Sequence, residues 1–193
     1  ENLDNSFSEL FEMNLGFIRT ADGRRDAFRM DSVMSALEQS QESWDRDVLL
    51  NNLQYADNPY LISLSGYNHL LSLAGLPLLE LSGSEAGVYM DQDSNAGGRQ
   101  ILNEILADRP EVFIDQDPFY LTGTVQTLNL VTDRAITLSF ALIVPDTVFE
   151  HYTQGNCSTY LNAVLDPEIF RSQSLMNAIM DVNERLDESG IYY

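Results

Sequence analysis

Two apolar stretches near the middle of the chain decide the fold: TVQTLNLV (residues 124–131) and AITLSFALIV (135–144), joined by TDR (132–134). In the second stretch, apolar residues such as Ile136 and Leu138 alternate with smaller or polar ones, which is the period of a β-strand with one buried face. Two such runs with a short polar connection are typical of a β-hairpin. The sequence therefore predicts that these two stretches pair as antiparallel strands.

Helical patterns lie on both sides of this hairpin. Apolar side chains recur at a spacing of three or four from Ser6 to Ile18, from Asp31 to about Gln54, and from Ser172 to Glu188. On the second of these predicted helices, one apolar stripe is expected to face the core. Its members are Val33, Leu37, Trp44, Val48 and Leu49.

Shorter elements fill the middle of the chain. Residues 60–65, 88–90 and 112–114 have the composition of strands, and residues 99–108 that of a helix ended by Pro110. We therefore expect an α+β fold in which terminal helices pack on a mostly antiparallel sheet, within a single domain covering residues 1–193. The alternative is a β-sandwich or jelly-roll with helical insertions.

The charge of the chain limits its partners. Among 193 residues there are 30 acidic and 10 basic side chains, all ten of the latter arginine, which gives a formal net charge of −20. Such a surface repels phosphate backbones and anionic lipids, so direct nucleic-acid binding and electrostatic membrane docking are not expected. No stretch reaches the roughly 20 apolar residues that a membrane span needs. We expect partners that are cations, basic or neutral molecules, or other copies of this chain.

One segment has the composition of a cation site. Asp91, Asp93 and Asn95 alternate along DQDSNAGG (residues 91–98), and Glu104 follows within the predicted helix. Oxygen ligands at alternate positions, a glycine turn and a later carboxylate suit Ca²⁺, which binds six to eight oxygens. These four residues are the predicted metal ligands. The alternative is a turn that caps the following helix without a metal.

The same segment resembles the calcium-binding loop of the EF-hand family over residues 91–104. It departs from that pattern because Gly97 falls one place late, Leu102 occupies the twelfth position and a strand is predicted before the loop. The resemblance implies a looser calcium loop in place of a helix–loop–helix unit. Asp115 and Asp117 repeat the first acidic pair and would join it if the two preceding strands were neighbours.

Catalytic motifs are sparse. Cys157 is the one cysteine, which excludes an internal disulfide, and His69 and His151 are its candidate bases, but no cysteine-protease motif surrounds them. A Gly-x-Ser-x-Gly elbow, a Walker loop and a zinc-deaminase signature are all missing from the sequence. Whether the protein is an enzyme stays open, with the balance toward a non-enzymatic role.

These observations favour a structural or interaction protein that self-associates or binds a protein partner and is stabilised by calcium. Because the chain begins at Glu1, we expect upstream processing and an exported, extracellular or virion-associated location. A carboxylate-dependent hydrolase, metal-assisted or not, is the enzymatic alternative. A third hypothesis is an acidic mimic of DNA that binds a basic protein.

Overall fold

The computed structural model describes residues 7–20, 27–54, 59–91, 96–128 and 140–165, together with Asn177, Met180 and Glu184. The chain divides into two compact units. One consists of Glu1–Met13 and Thr159–Tyr193, and the other of Asn14–Ser158. The single domain predicted over residues 1–193 stays a prediction. The sites described below lie in the second unit.

Eight strands of the described chain form a mixed sheet in the order β2-β5-β6-β4-β7-β3-β1-β8. The strands are β1 (Phe7–Phe17), β2 (Phe28–Arg29), β3 (Tyr60–Ser63), β4 (Glu85–Tyr89), β5 (Glu111–Ile114), β6 (Asp117–Leu121), β7 (Ala141–Val144) and β8 (Cys157–Leu165). Among the pairings whose register is described, β1–β3, β2–β5, β4–β7 and β5–β6 are antiparallel, and β3–β7 and β4–β6 are parallel. The predicted, mostly antiparallel sheet is confirmed for these pairs.

The helices of the described residues pack with this sheet. They are α1 (Asp31–Gln39), α2 (Trp44–Gln54), α3 (Leu64–Leu73), α4 (Ala96–Leu106) and α5 (Asp146–Thr153). Helices α1, α2 and α4 contact one another and α1 also contacts β5, whereas α3 and α5 contact β3. The α+β class is therefore confirmed.

Strand β7 lies inside the sheet, and its position corrects the predicted hairpin. Leu142 is paired on one side with Leu61 of β3, in parallel, and on the other with Val88 of β4, in antiparallel. All four residues of β7 are buried, as in a strand covered on both faces. Because both edges of β7 are occupied, the predicted pairing of this strand with residues 124–131 is wrong there. Residues 129–139 lie outside the described part of the chain.

The predicted N-terminal helix is also wrong, since residues 7–17 form β1. The burial of residues 12–15 follows a period of two, because Met13 and Leu15 are buried whereas Glu12 is exposed and Asn14 is half-buried. Leu15 pairs with Ile62 of β3 in antiparallel. Pairing with a neighbouring strand, which a local pattern does not contain, decides between the two periods.

The long helix predicted over residues 31–54 is interrupted. Ser40 is extended, and its hydroxyl donates to the Leu37 carbonyl at 2.8 Å, while the Ser43 hydroxyl accepts from the Arg46 N–H at 3.1 Å. These serines end α1 and begin α2. The phase of the apolar stripe therefore restarts, and Trp44, predicted to be buried, is 80% exposed.

Other predicted elements are found close to their expected positions. They are β3, β4, β5 and α4. The predicted C-terminal helix lies outside the described residues except for Asn177, Met180 and Glu184, which are helical and exposed. Strands β2, β6 and β8 and helices α3 and α5 were not expected from the sequence.

Candidate functional site

The predicted calcium loop connects β4 to α4. Asp91 directly follows Met90 and is half-buried, and its backbone carbonyl accepts a hydrogen bond from Arg99 Nη1 at 3.3 Å. Glu104 is exposed on α4. Asp93 and Asn95 lie outside the described residues. Within the described part of the chain, no group of three or more His, Cys, Asp or Glu side chains is arranged to hold a metal ion. The calcium site stays a prediction.

A carboxylate that the sequence did not point to lies against the start of α4. A Cβ atom added at Gly97 would lie 2.0 Å from Oδ2 of Asp45 and 2.9 Å from its Cβ. Glycine is therefore required for Asp45, in the first turn of α2, to approach so closely. A negative charge at a helix N-terminus interacts favourably with the helix dipole. The Gly97–Gly98 pair was the one sequence signal for this approach.

Sheet topology separates the two acidic pairs. Strand β6 lies between β4 and β5, and because β4 is parallel to β6 while β5 is antiparallel to it, β4 and β5 run in opposite directions. Asp91 follows the end of β4, and Asp115 follows the end of β5. Because these strands run in opposite directions, the two residues lie at opposite ends of the strands. Asp115 and Asp117 therefore do not extend the predicted calcium site.

Asp117 instead lies at an open cleft of about 500 Å³ between the start of β6 and helix α5. The Tyr152 hydroxyl donates a hydrogen bond to Asp117 Oδ2 at 2.5 Å. The Tyr152 ring meets Phe119 edge-on at 6.0 Å between centroids, and the His151 ring meets it at 4.8 Å. The cleft thus combines a carboxylate with an aromatic wall.

The electrostatic character of this cleft is negative. The pKa of Tyr152 is raised because burial desolvates its hydroxyl, because the hydroxyl donates to Asp117, and because the carboxylates of Asp117 and Asp115 oppose a further negative charge. Tyr152 therefore stays a neutral hydrogen-bond donor and holds the carboxylate of Asp117 in place.

Cys157, the one cysteine, is half-buried and packs against the apolar core.

A second unusual surface follows helix α3. We call residues 73–78, with the sequence LAGLPL, the Leu loop. All six residues are exposed, and Leu73, Leu76 and Leu78 are exposed by 40%, 47% and 57%. Large aliphatic side chains in succession on a surface are uncommon in soluble proteins and typically mark a contact site.

Hydrogen bonds fix the shape of the Leu loop. Gly75 has a φ of 67°, and the Leu76 N–H donates to the Leu71 carbonyl at 2.8 Å while the Gly75 N–H donates to the Ser72 carbonyl at 3.0 Å. This is the Schellman arrangement that ends a helix with a left-handed glycine. At the far side, Asn68 of α3 binds both backbone groups of Leu79. The exposed leucines are therefore presented on a preformed backbone.

Comparisons with protein-family models, with curated proteins and with solved structures find no match to this chain. In the part of the chain that the structure describes, no helix is long and apolar enough to cross a membrane.

Proposed function

We propose that this protein is a non-enzymatic interaction protein that associates with a second copy of itself through the Leu loop. The observation that carries the proposal is the exposure of Leu73, Leu76 and Leu78 on a hydrogen-bonded backbone. Burying such side chains against a partner removes apolar surface from water, and a preformed loop loses little conformational entropy when it binds.

The distribution of charge supports a second copy as the occupant. Residues 58–79, which contain α3 and the Leu loop, include no Asp, Glu, Lys or Arg, although the whole chain carries 40 such residues. In a two-fold contact the same patch meets itself, so a charge near the axis faces an identical charge. A contact centre without charges avoids this repulsion. The acidic remainder of the surface discourages association elsewhere.

The size of the loop predicts a weak complex. Stable interfaces bury about 800 Å² on each partner, more than three leucines and their neighbours supply. The net charge of −20 adds repulsion between copies, which salt reduces because the screening length falls from about 30 Å at 0.01 M to about 10 Å at 0.1 M. Self-association is therefore expected to depend on concentration and to strengthen with salt.

Sedimentation equilibrium in low and raised sodium chloride tests this proposal. The double substitution Leu76→Ser and Leu78→Ser should remove concentration-dependent association, because both side chains are exposed and their loss leaves the core intact. Trp44→Ser is the matched control, since Trp44 is an exposed apolar side chain outside the Leu loop. A wild-type protein that stays monomeric at every salt and protein concentration would overturn the proposal.

A basic protein partner is the second candidate, favoured by the net charge of −20. The salt dependence of this binding has the opposite sign to that of self-association, because screening weakens attraction between unlike charges.

A carboxylate-dependent hydrolase has less support. Among the described residues that line the cleft, Asp117 is the one carboxylate, whereas glycoside hydrolysis needs two. Calcium stabilisation and an exported or virion-associated location are further parts of the proposal.

A further inference from the structure

We propose that the cleft beside Asp117 binds an organic cation, an alkylammonium or alkylguanidinium group, from a small molecule or from a basic side chain. This inference is independent of self-association through the Leu loop. It rests on the combination of one oriented carboxylate, an aromatic wall and an open cleft of about 500 Å³ within the second unit.

The carboxylate is positioned to accept further hydrogen bonds. The neutral hydroxyl of Tyr152 donates a hydrogen bond to Oδ2 of Asp117. Asp117 is exposed at the cleft and begins β6, where its pairing with Ile114 fixes its backbone. Since Tyr152 holds one oxygen, the other can accept N–H bonds from a ligand without a large loss of side-chain entropy.

The aromatic wall suits the rest of such a ligand. Phe119 and Tyr152 are both buried at the base of the cleft and are held edge to face. The small exposed part of these rings gives an alkyl chain an apolar contact. The cleft is open to solvent, and its volume of about 500 Å³ is enough for a small organic cation.

The charge and the ligand set argue against other classes of ligand. The carboxylates of Asp115 and Asp117 both act on Tyr152, so an anion would be repelled here. A divalent metal needs several oxygen ligands, and the described lining residues contain one carboxylate. An organic cation needs one carboxylate and an apolar wall, and the cleft contains both, together with the polar side chains of Ser84, Thr147 and His151.

The experiment is a titration of the ¹⁵N-labelled full chain with three probes, n-butylammonium, n-butylguanidinium and the neutral n-butanol, at constant ionic strength. We expect the two cations to shift the amide signals of Phe119 and Tyr152, and n-butanol to bind more weakly. An arginine-containing tripeptide with blocked ends forms a fourth arm. Tighter binding of the tripeptide than of n-butylguanidinium identifies a peptide side chain as the source, and the reverse identifies a free small molecule.

Two substitutions separate the cleft from general surface attraction. Asp117→Asn should weaken binding of the cations by about tenfold or more, because a charge-assisted hydrogen bond is lost. Glu150→Gln removes one exposed negative charge from α5 outside the cleft lining and should change affinity less than about twofold. Circular dichroism should show that both variants keep the wild-type fold.

A third variant keeps the proposal testable if Asp117→Asn fails to fold. Thr147 is exposed on α5 at the cleft, and Thr147→Arg would place a tethered cation there and should reduce binding of n-butylammonium. The proposal is overturned if the cations shift no cleft signals, if n-butanol binds as well as they do, or if Glu150→Gln weakens binding as much as Asp117→Asn.

Discussion

Asn68 and Leu79 are joined by two hydrogen bonds that close the base of the Leu loop. Asn68 Nδ2 donates to the Leu79 carbonyl at 2.9 Å, and the Leu79 N–H donates to Asn68 Oδ1 at 2.8 Å. One side-chain amide thus satisfies both backbone groups of a residue eleven positions away. Because these two hydrogen bonds hold the Leu loop in shape, Asn68 affects both the stability of the loop and the proposed self-association.

Asn68→Ala should loosen the Leu loop. With about 1 kcal/mol lost for each hydrogen bond, the free energy of unfolding should fall by about 2 kcal/mol, and self-association should weaken as well. Denaturant unfolding and sedimentation measure the two effects. Asn103→Ala is the control, because Asn103 Oδ1 accepts one hydrogen bond from the Val125 N–H, away from the loop. This control should lose stability but keep association; equal loss of association in both variants would contradict the assigned role of Asn68.

Any larger side chain at Gly16 is predicted to destabilise the protein for steric reasons. A Cβ atom at this position in β1 would lie 2.2 Å from Cγ2 of Thr153 and 2.8 Å from the Phe149 ring, both buried on α5. Gly16→Ala should therefore destabilise the protein by about 1 to 3 kcal/mol, measured by urea unfolding. Gly83→Ala is the control, since no atom lies within 4 Å of the added Cβ. A change at Gly16 as small as that at Gly83 would show that α5 can move away from β1 at little cost.

Tyr67 should make the protein sensitive to alkali. Burial raises the pKa of Tyr67 from the ordinary value of 10.0 to about 12. The backbone of Leu128 lowers this pKa, and the nearby Tyr89 raises it. The unfolded chain releases this proton near pH 10 and the folded chain near pH 12. The stability that Tyr67 contributes is therefore complete below pH 10 and is lost as the pH rises from 10 to 12.

The measurement is urea unfolding at a series of pH values between 9 and 12. Tyr67→Phe should reduce the loss of stability over this interval, whereas Tyr120→Phe, at an exposed ring, should leave it unchanged. Identical slopes for the wild type and Tyr67→Phe would contradict the assignment.

Calcium should raise the melting temperature more than matched ionic strength does. Binding to the folded state alone stabilises it by about 2.7 kcal/mol at a hundredfold excess of free calcium over the dissociation constant. Asp93→Ala should remove the increment, while Glu38→Ala, an exposed carboxylate of α1, should retain it. Trp44 precedes Asp45 in α2, and Asp45 lies against Gly97 at the start of α4. The fluorescence of Trp44 therefore provides a second signal. If calorimetry detects no calcium binding, the loop is a metal-free turn before α4.

Local signals predicted the elements that depend mainly on local sequence. Helix α4 has Leu102, Ile105 and Leu106 buried on one face and ends before Pro110, so its pattern and its stop signal agree. Strands β3, β4 and β5 are short apolar runs between turn residues. For these segments the pattern in the sequence and the contacts in the fold require the same structure.

The errors at β1 and β7 arose because distant contacts decide the structure there. The partners of β7 are β3 and β4, and nothing near β7 in the sequence specifies them. Asp117 and Tyr152 are also far apart along the chain, so their hydrogen bond could not be predicted from spacing. The leucines of residues 73–78 were visible in the sequence, but their exposure depends on the Schellman turn at Gly75 and on Asn68.

The most direct test of self-association through the Leu loop is paramagnetic relaxation between two copies of the chain. A spin label attached through Ser72→Cys, in a Cys157→Ala background, is mixed with ¹⁵N-labelled wild-type protein at raised salt, and a label at Glu104→Cys provides the control position. The Ser72 label is predicted to broaden the amide signals of residues 73–78 in the other copy, and the Glu104 label is predicted not to do so. Broadening confined to other surfaces, or none at any protein concentration, would contradict the proposed self-association.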